Sequence, residues 1–154
     1  MRNNLKNLTK EEKRDLIYAL IEAKKFGTYS GPPISGQADN KSSDFNSSYY
    51  AATIFHGYPG LCGGPNNQND TNDGGCCIHG YSTFLPWHRL FMIQLEDSLR
   101  ANPKYKHVTL PYWDWTQIFD ELPSLVRNPT IPDPTNSSII LQNPFYHSWI
   151  PRKN

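Results

Sequence analysis

The sequence predicts a mainly α fold broken by long irregular loops, on three observations. Apolar residues recur at helical spacing in three separate segments. Between those segments run stretches of Gly, Asn and Asp that show no period. Thirteen prolines and ten glycines are spread over 154 residues, and seven of the prolines fall after Leu110.

The first helix is predicted from about Lys10 to Lys25. Thr9 and Glu12 form a capping box, Thr9 as N-cap and Glu12 reaching back to it. Leu16, Ile17, Leu20 and Ile21 then repeat at helical spacing, and Gly27 stops the run. Residues 27–45 are polar, contain Pro32-Pro33 and read as a loop. A second helix begins near Ser47 or Ser48 and carries Tyr50, Ile54 and Phe55 up to His56-Gly57. Residues 57–75 form a surface loop. Pro86 suits the first turn of a third helix. Leu90, Phe91, Leu95 and Leu99 give that helix an apolar stripe, and Asn102-Pro103 ends it. From Leu110 onward the prolines predict extended chain and short turns, packed through Trp113, Trp115, Phe119, Phe145 and Trp149. No internal repeat is visible.

A chain of this length supports one domain that buries about two-thirds of its unfolded surface. Its 13% aromatic content, four tryptophans included, predicts an aromatic-heavy core. Fifteen basic and fourteen acidic residues leave a net charge of +1, which argues against a nucleic-acid partner. No apolar run is long enough for a membrane span. The N-terminus lacks the apolar segment of a signal peptide. Asn-X-Ser/Thr sequons at Asn7, Asn40, Asn46, Asn69 and Asn136, with cysteines that look paired, nevertheless point to an extracellular protein. The missing signal then marks a mature chain or an excised piece.

His56, His79 and His88, three of the five histidines, fall within 33 residues. His56 ends one predicted helix, His88 opens the next long one, and His79 lies in the connection. Two helices packed ~8–10 Å apart let two imidazoles converge on an ion, and the third must arrive from the loop. Three neutral imidazoles suit copper or zinc far better than magnesium or calcium. Taken singly, a histidine at a helix end is more often a surface or dipole-facing residue. Spacing alone does not choose the metal, because zinc with an open fourth position fits equally well.

FHG at 55–57, CCIHG at 76–80, FLPWHR at 84–89 and LPYWDWT at 110–116 occur in this order. Together they resemble the first copper site of the type-3 copper proteins, the tyrosinases and molluscan hemocyanins. The paired cysteines before Ile78-His79 and the phrase HGYPGLC at 56–62 look most like a molluscan hemocyanin functional unit. The similarity runs from about residue 2 to about residue 146. It implies that His56, His79 and His88 hold one copper of a pair that binds dioxygen. It further implies a thioether between Cys77 and the His79 ring, and a disulfide between Cys62 and Cys76. From the residues alone, a vicinal Cys76–Cys77 disulfide or three free thiols stay open. Asp114, between two tryptophans, is expected partly buried with Arg89 as its partner. The pair either orients the copper histidines or serves as a structural ion pair. Phe84 is placed near the metal by position only.

The fold so implied is the N-terminal part of a type-3 copper four-helix bundle, with residues 1–154 one partial copper-binding domain. His107 and His147 stand outside any His-X-X-X-His pattern, so the second copper half is expected to be missing. An apolar helix face would then be left exposed. The activity implied is oxygen transport as part of an oligomeric hemocyanin, with dioxygen and the missing half as partners. Phenol oxidation of the tyrosinase type is the enzymatic alternative. An inert structural fragment is a third reading.

Overall fold

Thr9 opens the first long helix by the mechanism its sequence predicts. Its hydroxyl accepts from the Glu12 amide at 3.1 Å, and the Glu12 carboxylate accepts from the Thr9 amide at 2.8 Å. The computed structural model describes residues 2–25, 47–56, 81–117 and 121–146. In it α1 spans Lys10–Ala23, α2 Ser48–His56 and α3 Phe84–Leu99. Both predicted loops, 27–45 and 57–75, lie outside the described residues, as do the side chains of Tyr50, Ile54 and Phe55. Pro86 is the third residue of α3, where an amide has no acceptor within the helix and proline costs nothing. Asn102 accepts from the Lys104 amide at 2.9 Å and starts a 3-10 turn, Pro103–Tyr105.

The core is built on α1. Leu16, Ile17, Ala19, Leu20 and Ala23 are buried on it, and Leu5, Leu8, Leu99, Tyr105, Val108 and Ile131 close over them from elsewhere in the chain. Among the described residues this core is mainly aliphatic, with Tyr105 its one fully buried aromatic. Tyr18, Tyr49 and Phe145 pack against its edge. Trp115 is 71% exposed, and Phe119 and Trp149 lie outside the described residues. The apolar stripe of α3 is also narrower than predicted. Leu99 is buried while Leu90 is 65% exposed. At ~100° per residue, Leu90 sits about 140° around the helix from Leu95, on the other side.

Buried polar groups tie the segments together. Glu96 on α3 accepts from Arg2 Nε at 2.9 Å and from the Leu110 amide at 2.9 Å. Burial works against its charge, but these bonds and Arg100 outweigh it and lower the carboxyl below its ordinary value. The Leu5 amide donates to Tyr112 and the Tyr112 amide to Asn3, so the 110–116 segment is stitched to the N-terminus.

Beyond residue 121 the chain is more regular than its prolines suggest. A one-turn helix, α4 (Ser124–Arg127), precedes an antiparallel pair, β1 (Thr130–Pro132) and β2 (Ile140–Gln142), with Ile131 opposite Leu141. Fully buried Asn143 secures this unit, donating to the Leu125 and Asn128 carbonyls at 2.7 and 2.6 Å. Pro132 and Pro129 fit because a two-stranded sheet has outer edges where no amide is required.

Candidate metal centre

The C-terminal end of α2 meets the N-terminal part of α3, and there the two helices bring His56 and His88 together. Their Nε2 atoms are 3.3 Å apart. His88 lies four residues after Phe84, so its Nδ1 reaches the Phe84 carbonyl one turn back, at 2.8 Å. A carbonyl only accepts, so Nδ1 carries a proton, and in the neutral ring Nε2 is then the lone-pair nitrogen facing His56. Two nitrogens at that distance share either a proton or a cation. Ligand nitrogens ~2.0–2.1 Å from one ion at a near-tetrahedral angle would stand about 3.3 Å apart. The donor set thus fits a borderline transition metal.

Aromatic rings enclose the pair. Phe84 stands 4.3 Å from the His88 ring, centroid to centroid, and Trp87 4.9 Å from it. On the other imidazole, His56, Phe91 packs at 5.0 Å and Trp87 at 5.8 Å. Trp87 and Phe91 stack on each other, 13° from parallel. The sequence reading gave Trp87 no role and put Phe91 only in the apolar stripe. Their i, i+4 spacing on either side of His88 is the signal that marks them. These rings give the two imidazoles an apolar flank, although Phe84 itself is 37% exposed.

The remaining predicted site residues divide in two. His79, Cys62, Cys76 and Cys77 lie outside the described residues, so the third ligand, the thioether and the disulfide do as well. Among the described residues no group of three or more potential metal donors converges. Asp114 and Arg89 are described, and no ion pair joins them there. The Asp114 carboxylate takes the Thr116 hydroxyl and, at 3.2 Å, the Thr116 amide. Those bonds hold its carboxyl below the usual range, against partial desolvation. An aspartate that satisfies itself two residues on has no need of a distant arginine. Arg89 is exposed on α3. His107 is engaged elsewhere, its Nε2 2.9 Å from Asp15 of α1.

Residues 46–153 match the family described as the common central domain of tyrosinase. Hemocyanin G-type, units Oda to Odg, of Enteroctopus dofleini is 38% identical over 150 residues, covering 97% of this chain and 4% of that one. Hemocyanin units E and F of Sepia officinalis are 33% identical over 150 residues, covering 97% of this chain and 61% of theirs. The chain therefore spans a small part of the first of these relatives. Among solved structures, the tyrosinase of Burkholderia thailandensis superposes with a TM-score of 0.62 at 24% identity, over 94% of this chain and 26% of that one. Aspergillus oryzae pro-tyrosinase gives 0.55 at 22% identity, over 95% and 29%. At such identities the structural likeness speaks to the fold.

Proposed function

Because the chain belongs to the tyrosinase family through its common central domain, we propose that it supplies one copper site of a dioxygen-carrying domain of the molluscan hemocyanin type. His56 and His88 hold the ion, with His79 as third ligand. Cys77 fixes the His79 ring through a thioether, and Cys62 pairs with Cys76. The observation that carries this reading is the 3.3 Å approach of the two Nε2 atoms inside a collar of aromatic rings. Bound there, copper supplies the electrons for reversible dioxygen binding together with a second copper.

The chain's own residues do the positioning. The Phe84 carbonyl keeps the His88 proton on Nδ1, so the ligand lone pair needs no tautomer change. Phe84, Trp87 and Phe91 pack against the imidazoles. The curated relatives being hemocyanins favours oxygen carriage over phenol oxidation, and with it an extracellular, oligomeric parent protein. Residues 1–154 then form one partial copper domain, half of a four-helix bundle whose other helices bring the second copper's histidines. Among the described residues no helix is long and apolar enough to cross a membrane.

Copper titration with metal analysis tests the proposal. One copper per chain is expected, and His56→Gln and His88→Gln should each abolish stoichiometric uptake. Two coppers per chain, or uptake untouched by both variants, would overturn it. Oxidation of an o-diphenol by the copper-loaded chain would favour the phenol-oxidase reading instead.

A further inference from the structure

A copper site leaves the five sequons without a role. Asn7 and Asn136 fall within the described residues, and the structure treats them differently. At Asn7 the middle residue, Leu8, is buried in the core and the hydroxyl of Thr9 is spent on capping α1. Asn136–Ser137–Ser138 instead occupies the connection between β1 and β2.

Asp133, 3% exposed, anchors that connection from below. Its Oδ1 accepts from the Thr135 amide and hydroxyl, both at 2.8 Å, and from the Asn136 amide at 3.1 Å. Its Oδ2 accepts from the Tyr18 hydroxyl of α1 at 2.9 Å. The Asp133 amide donates to Ile139 at 2.8 Å and the Ile139 amide to Asn136 at 3.0 Å. The backbone is thus fixed from inside while residues 135–140 are all exposed. The Asn136 side-chain oxygen accepts from the Ser138 amide at 3.2 Å, an Asx turn that sets the carboxamide beside the residue completing the triplet. Its Nδ2 makes no hydrogen bond among the described residues.

From this geometry we infer that Asn136 is a site of N-linked glycosylation. The donor is an oligosaccharide carried on a polyprenyl pyrophosphate, delivered by a membrane transferase. A bond forms between Nδ2 and the sugar's anomeric carbon as the bond from that carbon to the pyrophosphate oxygen breaks. The polyprenyl pyrophosphate leaves with the electron pair, the Nδ2 proton passes to a base of the transferase, and nothing is oxidised or reduced. The glycan stands over Ile139 and Ile140, 44% and 63% exposed, and screens the open edge of the hairpin.

Peptide mapping of the protein purified from its source decides the matter. Trypsin releases residues 128–152, and treatment with a peptide N-glycosidase in heavy-oxygen water should leave labelled aspartate at 136. In secreted recombinant chain, Asn136→Gln and Ser138→Ala should each remove one glycan mass step. Ser138→Thr should keep it, and Asn7→Gln should leave it in place. Recovery of peptide 128–152 wholly unmodified would overturn the inference, whatever the state of the other sequons. So would loss of that same step in Asn7→Gln. Because the native peptide map needs no variant, misfolding of a substituted chain does not blunt the test.

Discussion

Asp133 accepts four hydrogen bonds, from the Thr135 amide and hydroxyl, the Asn136 amide and the Tyr18 hydroxyl. It is buried, joins the hairpin to α1 through Tyr18, and lies 3.8 Å from Arg14. Burial opposes its charge, yet hydrogen bonds from Thr135, Tyr18 and the Asn136 amide outweigh that and hold its carboxyl at about 2. Donating to this carboxylate also raises the Tyr18 phenol above its ordinary value. A carboxyl whose pKa is lower folded than unfolded stabilises the fold above its unfolded value, ~3.9. That contribution is lost as pH falls from there through about 2. Denaturant melts across this window should show stability declining more steeply in the native chain than in Asp133→Asn. Parallel declines would show that other carboxylates dominate. An imidazole obeys the same logic of local partners: the Phe84 carbonyl decides the His88 tautomer, and no charged neighbour is required.

At the scale of elements, the helix starts follow from side chains within a few residues. The capping box of α1 satisfies two amides that the helix leaves without partners. Thr9→Ala should destabilise the chain by about 1 kcal/mol, read as a lower midpoint in urea at unchanged slope. A loss below the error of that measurement would mean that packing of Leu16 and Ile17, rather than the cap, fixes where α1 begins. Packing is decisive for α3, where Thr83 makes no side-chain cap. Its start is set by Pro86 and by the contacts of Trp87 and His88 with His56. The hairpin was not legible from proline count, because what holds it is two buried side chains, Asn143 bonding to the Leu125 and Asn128 carbonyls and Asp133 bonding to Tyr18 of α1.

For the molecule as a whole, the outer side of α3 carries Leu85, Leu90 and Ile93 at 74%, 65% and 40% exposure. Apolar side chains clustered on one side of a helix favour association in water. The purified chain should therefore sediment with a concentration-dependent mass, and Leu90→Lys with Ile93→Lys should shift it toward the monomer. Because both positions are solvent-facing, stability should change by no more than ~0.5 kcal/mol per substitution. A monomer at all concentrations, or association untouched by the paired change, would show that this face is not sticky.

How much was legible divides along the range of the interactions. The three long helices, the Thr9 cap and the family follow from the sequence alone, because caps, periodicity and motifs act within a few residues or in fixed order. Clustering also nominated His56 and His88. Their meeting is a tertiary fact, since 32 residues separate them and only the packing of α2 on α3 closes that gap. The ring contacts of Trp87 and Phe91, the aliphatic make-up of the core among the described residues, the exposure of Leu90 and Trp115, and the burial of Glu96, Asp133 and Asn143 were likewise decided by the fold. Hydrophobic pattern says which residues prefer to be inside. Only the packed chain says which of them find room there, and which polar groups are drawn in to satisfy its carbonyls and amides.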